Sequence, residues 1–398
     1  MVLGILSCSV YLKTTYRMRT NCYKRLGDYI REVNVRNRDL KVTKPMGINI
    51  DKHFMPSVAN VIGTDLSNYK LVSRRQFACN LMHVGRDEKI PMAIMESDNP
   101  IIVSPAYFVF EVSNPNILLP EYLMMWFSRK EFDRNAWFYT DADVRGGMDK
   151  DALLDMRLPI PSIERQREIV AEYETLSKRI RLNKQMISSL EATAQTLYRK
   201  MFIDGIDKEN LPDAWRMGTI ADFCKDMKSG GTPSRTNNLY WDKKEYRWLK
   251  SGEVHNNIIV DVEEYISKEG LDNSSARLIP VGTVTMAMYG ATAAQVAYID
   301  CETTTNQACC NMICHTKNDA AYLFFHLLAN QEDVKKLANG GAQENLSQEL
   351  IAQQPIVIFD DESIKSNFTT ILNELILRYR ENKKLIELQS LLLAKMGQ

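Results

Sequence analysis

Residues 158–202 read LPIPSIERQREIVAEYETLSKRIRLNKQMISSLEATAQTLYRKMF, and this stretch decides the fold. Mostly apolar side chains recur in it at alternating steps of four and three residues, with no proline or glycine from the first of them to the last. A sustained 3.5-residue period is typical of a coiled-coil seam, whereas a surface helix has a broader apolar stripe. The predicted seam includes Ile169, Tyr173, Leu176, Ile180, Asn183, Leu190 and Leu197.

The C-terminal stretch repeats this pattern. Residues 354–398 read QPIVIFDDESIKSNFTTILNELILRYRENKKLIELQSLLLAKMGQ, and Ile364 follows Ile169 at an offset of 195 (364 − 169). Weaker similarities keep nearly the same spacing, such as Asp28 with Asp222 at 194 (222 − 28). The sequence therefore predicts two copies of one unit, each a globular portion followed by a long helix. The second seam includes Ile364, Phe368, Ile371, Leu375, Asn382, Leu385 and Leu392.

Two repeats in one chain are most simply related by a pseudo-two-fold axis, which predicts that the two helices pair antiparallel. If their ends are flush, paired seam positions sum to 565 (169 + 396), and Asn183 then faces Asn382. A buried polar pair of this kind fixes the register at some cost in stability. The alternative is that each helix packs on its own globular unit. The predicted class is mixed α+β, with two globular α/β domains (1–157 and 204–353) and two helical segments (158–203 and 354–398).

Composition limits the possible classes of protein. The chain has 398 residues, enough for two or more domains, and Lys+Arg 50 balance Asp+Glu 50. Any nucleic-acid contact must therefore depend on local basic charge. No apolar run approaches the roughly 18 residues of a membrane span, and eight cysteines are too few for a disulfide scaffold. We expect a cytoplasmic protein.

One segment of the second domain has the composition of a DNA-binding loop. Residues 228–241 read KSGGTPSRTNNLYW and combine a Gly-Gly turn with hydroxyl, amide, basic and aromatic groups. Backbone N–H groups and cations bind phosphates, while Arg, Asn and Gln read base edges. The alternative is a polar surface loop whose exit is anchored in the core by Tyr240 and Trp241.

Cysteines at 301, 309, 310 and 314 with His315 suggest a zinc site, but they lack the paired C-x₂-C spacing of structural zinc. Three of these cysteines stand in an apolar, strand-like run, where cysteine behaves as a small hydrophobe. We expect no metal. None of the five histidines belongs to a Ser/His/Asp or HExxH arrangement, so the chain is predicted not to be an enzyme.

The repeat, the LPIP-x₄-Q opening at 158–166 and the GGTP-x₆-YW segment at 230–241 resemble the specificity subunits of type I restriction-modification systems. LSNYKLV at 66–72 and TNQ at 305–307 add to the resemblance, which extends over nearly the whole chain from about Lys24. The second helical opening departs from the pattern, with Glu362 where the first has Gln166. Residues 1–17 precede the usual start, which makes Met18 a possible initiator.

The resemblance implies two target recognition domains, each reading one half of a split double-stranded DNA sequence, held apart by the paired helices. It also implies that the helices dock two methyltransferase subunits, which bind S-adenosylmethionine, and that motor and nuclease subunits join the complex. This chain would bind no cofactor. The alternative function is a non-catalytic scaffold with two adaptor domains for protein partners. The predicted DNA contacts are Arg74, Arg75, His83, Arg86, Lys228, Ser229, Thr232, Ser234, Arg235 and Asn237.

Overall fold

The computed structural model describes residues 23–57, 63–82, 84–140, 146–204, 206–207, 209–337 and 345–397. They divide between two compact units. Unit 1 contains the described residues up to Lys178 together with those from Ile386 onward, and unit 2 contains Arg179–Leu385. None of the described helices is both long and apolar enough to cross a membrane.

Unit 1 is built on a four-stranded antiparallel sheet in the order β2-β9-β6-β7, beside three two-stranded pairs, β1-β10, β3-β4 and β5-β8. Its strands are β1 Tyr23–Arg25, β2 Ile30–Glu32, β3 Met46–Ile48, β4 Phe54–Pro56, β5 Lys70–Val72, β6 Phe77–Cys79, β7 Met92–Ile94, β8 Ile101–Val103, β9 Phe108–Val112 and β10 Arg157–Pro159. Its helices are α1 Val84–Asp87, α2 Pro120–Phe127, α3 Lys130–Phe138, α4 Lys150–Asp155 and the first part of α5 Ile163–Phe202.

Unit 2 has a five-stranded sheet in the order β12-β19-β16-β17-β14, a three-stranded sheet β15-β13-β18 and the pair β11-β20. Its strands are β11 Arg216–Thr219, β12 Asp226–Ser229, β13 Tyr246–Leu249, β14 Asn257–Ile259, β15 Glu264–Ile266, β16 Val284–Ala287, β17 Val296–Ile299, β18 Thr304–Thr305, β19 Cys309–Ile313 and β20 Pro355–Ile358. Its helices are α6 Ile220–Phe223, α7 Lys268–Asp272, α8 Lys317–Ala329, α9 Gln331–Lys336, α10 Gln348–Ala352, most of α11 Glu362–Lys395 and the last part of α5.

The duplication predicted from the sequence is confirmed by the topology. The strand order β2-β9-β6-β7 of unit 1 recurs as β12-β19-β16-β17 in unit 2, and the antiparallel pair β1-β10 recurs as β11-β20. The predicted segment 354–398 contains β20 before its helix begins, and segment 158–203 contains all of β10 except its first residue, Arg157.

The two long helices pair antiparallel within each unit, and every predicted seam residue is buried or half-buried. In unit 1 the Gln389 amide donates to Ser177 Oγ at 2.7 Å, and Met396 lies in the same apolar cluster as Ile169. In unit 2 Asn183 Nδ2 donates to Asn382 Oδ1 at 3.0 Å. The predicted register, in which paired positions sum to 565, is confirmed.

We expect that replacing both Asn183 and Asn382 by leucine will raise the free energy of unfolding by about 1–2 kcal/mol. Asn183 is fully buried and its Oδ1 has no hydrogen-bond partner among the described residues, so the polar pair is stabilised incompletely. Each single variant leaves one amide unpaired and should be less stable than the wild type. Denaturant unfolding of the three variants measures this, and a destabilised double variant would contradict it.

Gln166, the glutamine of the LPIP-x₄-Q opening, anchors α5 to the globular part of unit 1. Its side chain is fully buried, accepts a hydrogen bond from Leu119 N at 2.8 Å and donates to Ile117 O and Pro161 O. The amide thus supplies a cap for α2, because Leu119 at the N-cap has no capping side chain of its own. The motif has a structural role inside the chain.

Unit 2 makes the corresponding attachment with an ion pair. Lys365, on the first turn of α11, is 5 % exposed and its Nζ lies 2.7 Å from Asp319 Oδ1. Asp319 is the N3 residue of α8 and closes a capping box with Thr316. The second helical opening has Glu362 where the first has Gln166, and this difference accompanies the change from an amide anchor to an ion pair. Lys365 Nζ also lies 3.3 Å from the Glu362 carboxylate.

Further along α11, Asp261 holds the helix to the globular part of unit 2. Its carboxylate accepts hydrogen bonds from Lys383 Nζ at 2.6 Å, Arg247 Nε at 2.8 Å and Tyr265 OH at 2.9 Å. Partial burial by itself raises the pKa of Asp261, but the hydrogen bonds from Lys383, Arg247 and Tyr265 outweigh it and hold this pKa well below its usual value.

Because the folded-state pKa of Asp261 lies below that of the unfolded chain, its stabilisation is complete above about pH 5. It is lost as the pH falls through the unfolded value of about 3.9 toward the folded value. We expect Asp261→Asn to lower the free energy of unfolding by about 2 kcal/mol at pH 7, with a deficit that shrinks below about pH 4. Denaturant unfolding between pH 3 and 7 measures this. Asp272→Asn, at an exposed position on α7, is the control; a pH-independent deficit for Asp261→Asn would contradict the explanation.

Candidate nucleic-acid interface

Equivalent strands end at the same side of the sheet in the two units. In unit 1, β2 and β6 end where β9 begins, because Glu32 pairs with Phe110 and Cys79 with Phe108. In unit 2, β12 and β16 end where β19 begins, because Ser229 pairs with Cys310 and Ala287 with Cys309. We call this end of each sheet the common edge. Its connections are 33–45, 80–91 and 104–107 in unit 1 and 230–245, 288–295 and 306–308 in unit 2.

The GGTP segment leaves β12 at the common edge of unit 2 and packs tightly against two neighbouring stretches of backbone. A Cβ on Gly230 would overlap the carbonyl oxygens of Thr305 and Asn306, and one on Gly231 would lie 2.5 Å from Ala276 N. Gly231 N also donates to Thr305 O at 2.8 Å. The two glycines are required for close approach, and the GGTP and TNQ segments, which begin 75 residues apart in sequence (305 − 230), meet here.

Arg235 lies in an aromatic enclosure just after the GGTP turn. Its guanidinium carbon is 3.6 Å from the ring centroid of Trp241 and 4.8 Å from that of Trp248, and Nη1 donates to Glu264 Oε2 at 2.6 Å. Trp248 Nε1 donates to Gly231 O and Trp241 Nε1 to Ser234 O, so both rings are fixed to the segment's backbone. These contacts give Arg235 and the Trp residues a role in holding the loop.

The other predicted contacts of unit 2 also have partners within the chain. Lys228 pairs with Asp226 at 2.7 Å and thereby lowers the pKa of that carboxyl. Asn237 accepts from Leu239 N as the cap of a short 3₁₀-helix. The remaining three bond through their hydroxyls: Ser229 to Gln348, Thr232 to Gln307 and Ser234 to Thr236. The structure thus places the six residues together at the common edge, within a loop that their own contacts organise.

The predicted contacts of unit 1 do not form one group. Arg74 and Arg75 precede β6, whereas Arg86 follows it, so they lie at opposite ends of that strand. Of these three arginines, only Arg86 belongs to the common edge, and it forms a two-pronged hydrogen bond with Asp87. Arg74 pairs with Asp98 at 2.8 Å and Arg75 with Glu121 at 3.0 Å. His83 lies outside the described residues.

A basic connection at the common edge of unit 1 was missed by the sequence reasoning. Residues 33–45 join β2 to β3 and carry four cations against the single carboxylate of Asp39. Buried Asn37 fixes the loop, since its Nδ2 donates to Val42 O at 2.7 Å and its backbone N–H to Tyr69 O. The sequence signal was the charge run RNRDLKVTK at 36–44, whose cations are Arg36, Arg38, Lys41 and Lys44.

The sheet separates the cysteine side chains that the sequence suggested as zinc ligands. Cys309 and Cys310 are neighbours on β19 and therefore point to opposite faces, where they join different apolar clusters. In the part of the chain that the structure describes, no group of three His, Cys, Asp or Glu side chains is placed to hold a metal ion.

Comparison with known proteins agrees with this geometry. Residues 212–387 match the family of the type I restriction modification DNA specificity domain. The chain is 22% identical over 373 residues to the HindI type I restriction enzyme specificity subunit of Haemophilus influenzae, covering 74% of this chain and 80% of that protein. It shares its fold with the crystal structure of the type I restriction-modification S subunit from M. genitalium, with a TM-score of 0.59, 9% identity and coverage of 96% of this chain and 98% of the other. Residues 212–387 thus match the DNA specificity domain of type I restriction-modification systems, and the chain is similar to their specificity subunits over most of its length.

Proposed function

We propose that this chain gives a type I restriction-modification complex its DNA specificity, with each unit reading one half of a split target in double-stranded DNA. One observation carries the proposal. The same sheet occurs twice. In each unit a polar connection rich in basic, amide or hydroxyl groups follows a strand that ends at the common edge: residues 33–45 after β2 and residues 230–245 after β12. Sequence-specific proteins combine phosphate contacts from such groups with base contacts in the groove.

In this proposal, the side chains that contact the bases lie at the common edge of each unit. In unit 2 they come from the loop that begins at Lys228 and Ser229. In unit 1 they come from residues 33–45 and from the connection that carries Arg86. Loops fixed by buried contacts, as by Asn37 and Trp248, suit recognition because little conformational freedom is lost on binding.

The chemistry of the complex is assigned to partner subunits. This chain is non-catalytic in the proposal and binds no cofactor, while two methyltransferase subunits bring S-adenosylmethionine and dock on the paired helices. Support comes from the outer face of α5, where Leu182 and Met186, one turn apart, are both more than 40 % exposed. Motor and nuclease subunits join through the same complex.

The test is long-read methylome sequencing of a host that expresses this chain together with its methyltransferase subunits, against hosts that express either alone. We expect adenine methylation at one split motif only when both are present. No new methylation with both proteins soluble would overturn the proposal.

A salt titration of DNA binding distinguishes this function from a protein scaffold. We expect the affinity of the assembled complex for its split motif to fall steeply with salt concentration, because phosphate contacts release counterions. A partner interface of mainly apolar character would show a much weaker dependence.

A further inference from the structure

Three consecutive aromatic side chains are exposed at the C-terminal end of helix α3 of unit 1, the last of them at the C-cap. Trp137 is 47 %, Phe138 80 % and Tyr139 54 % exposed, whereas the opposite face of the helix buries Phe132 and Ala136. Folding gains little from aromatic rings that remain in water, so three in succession indicate a surface used for binding.

The exposed face of α3 is also basic. Lys130, Arg134 and Phe138 are four residues apart and so lie on one face, and neither cation has an ion-pair partner among the described residues. Both carboxylates of the helix are already neutralised: Glu131 lies 3.4 Å from Arg129, and buried Asp133 lies 2.7 Å from Lys52. A surface of unpaired cations and exposed rings is complementary to nucleic acid.

The contacts of α3 place it beside the common edge. Asp133 Oδ1 accepts from Ile90 N at 3.2 Å, and Ile90 belongs to the connection from β6 to β7. Beyond the helix, Thr140 forms a bridge with Met148, whose N–H donates to Leu81 O in the same connection. The aromatic end of α3 is therefore attached to the connection that carries Arg86.

Unit 2 shows that the fold does not require these rings. Helix α9 follows α8 as α3 follows α2, and it carries the cations Lys335 and Lys336. The residues after it, 337–345, read LANGGAQEN and contain no aromatic side chain. A partner shared by both units would meet similar surfaces on each, whereas the two halves of a split DNA target differ. The aromatic run therefore fits a DNA contact specific to unit 1.

We propose that this face of α3 binds the half-site read by unit 1, with Lys130 and Arg134 on phosphates and Phe138, supported by Trp137 and Tyr139, as an apolar wedge at a base step. Apolar side chains inserted between base pairs unstack them and kink the duplex. Phe138 and Tyr139 already contact each other edge to face, with ring centroids 5.5 Å apart, which stiffens the wedge. The inference rests on the proposed function.

The test compares Phe138→Ala with Ile117→Ala in the full chain assembled with its methyltransferase subunits. Ile117 is a matched control, because it is an exposed apolar residue of unit 1 that follows β9, at the end of the sheet away from the common edge. Fluorescence anisotropy gives the affinity for a duplex with the target found by methylome sequencing. The base analogue 2-aminopurine, placed in turn in each half-site, reports unstacking.

We expect Phe138→Ala to weaken binding to the target by about tenfold or more and to abolish the 2-aminopurine signal in one half-site only. Ile117→Ala should bind as the wild type does. Equal binding and signal for both variants would overturn the inference while wild-type binding upholds the proposed function. If Phe138→Ala instead releases the methyltransferase subunits on gel filtration, the face binds protein and the inference is wrong. If the wild-type complex itself does not bind the duplex, the proposed function fails, and this inference with it.

Discussion

We expect alanine at Gly230 or Gly231 to lower the free energy of unfolding of the protein by about 3–5 kcal/mol, in the range of the most damaging single substitutions. The added Cβ meets backbone atoms of two other segments, the carbonyl oxygens of Thr305 and Asn306 at Gly230 and the Ala276 nitrogen at Gly231. Backbone atoms cannot move away from the added Cβ as the end of a flexible side chain can. Relief would require the GGTP segment to move away from residues 305–307 and so break the hydrogen bond from Gly231 N to Thr305 O.

Gly252→Ala is the control for this experiment. Gly252 also belongs to unit 2 and lies in a short 3₁₀-helix, but no atom lies within 4 Å of the position a Cβ would take, and its φ is not positive. The change there should alter the free energy of unfolding by less than about 1 kcal/mol. Denaturant unfolding followed by tryptophan fluorescence measures all three variants, since Trp241 and Trp248 report directly on the segment. Equal stabilities would show that the loop is not held by its glycines.

The helical framework could be predicted from the sequence because its period and its register are local properties of two stretches. An unbroken 3.5-residue repeat determines which side chains meet, and the equal lengths of the two copies determine that Asn183 faces Asn382. The attachment of each helix to its globular unit could not be predicted in the same way. Gln166 and Lys365 have the same role with different chemistry, and only the fold shows that each one contacts the start of an earlier helix, α2 or α8.

Composition located the candidate interface of unit 2 but not the task of each residue in it. A loop with Arg, Thr and Asn next to Gly-Gly has the composition of a reading loop. The same residue types also make cation–π contacts and caps, as Arg235 and Asn237 do here. Which use applies depends on partners such as Glu264, about 30 residues away in sequence, which no local pattern reveals.

In unit 1 the predicted contacts are separated for a different reason. Arg74, Arg75 and Arg86 are close in sequence, but the strand β6 between them carries the chain from one end of the sheet to the other. Residues within 12 positions of each other are separated by the fold, whereas the connections that contain residues 36 and 86 both belong to the common edge. An extended strand of three residues spans roughly 10 Å, about one Debye length at physiological salt.

Because of this separation, we expect two charge reversals of equal size to have very different effects on the affinity for DNA. Arg38→Glu with Lys41→Glu reverses two cations of the connection 33–45 at the common edge. In the assembled complex it should weaken DNA binding by roughly a hundredfold at 0.15 M salt and reduce the salt slope by about two, because two phosphate contacts are lost. Both side chains are exposed, and the turn that carries them is fixed by buried Asn37, so the fold should persist.

Arg74→Glu with Arg75→Glu makes the same change in net charge at the opposite end of the same sheet. If DNA lies along the common edge, these two positions are about a Debye length or more from it, and their reversal should change the affinity by less than about threefold. Fluorescence anisotropy over a range of salt concentrations gives both the affinity and the slope for each double variant. A larger loss from the Arg74/Arg75 reversal would move the interface to the other end of the sheet. It would also support Arg74 and Arg75 as DNA contacts, as the sequence predicted. Salt screens both pairs of cations equally, so a difference between the two double variants reports only their distances from the phosphates.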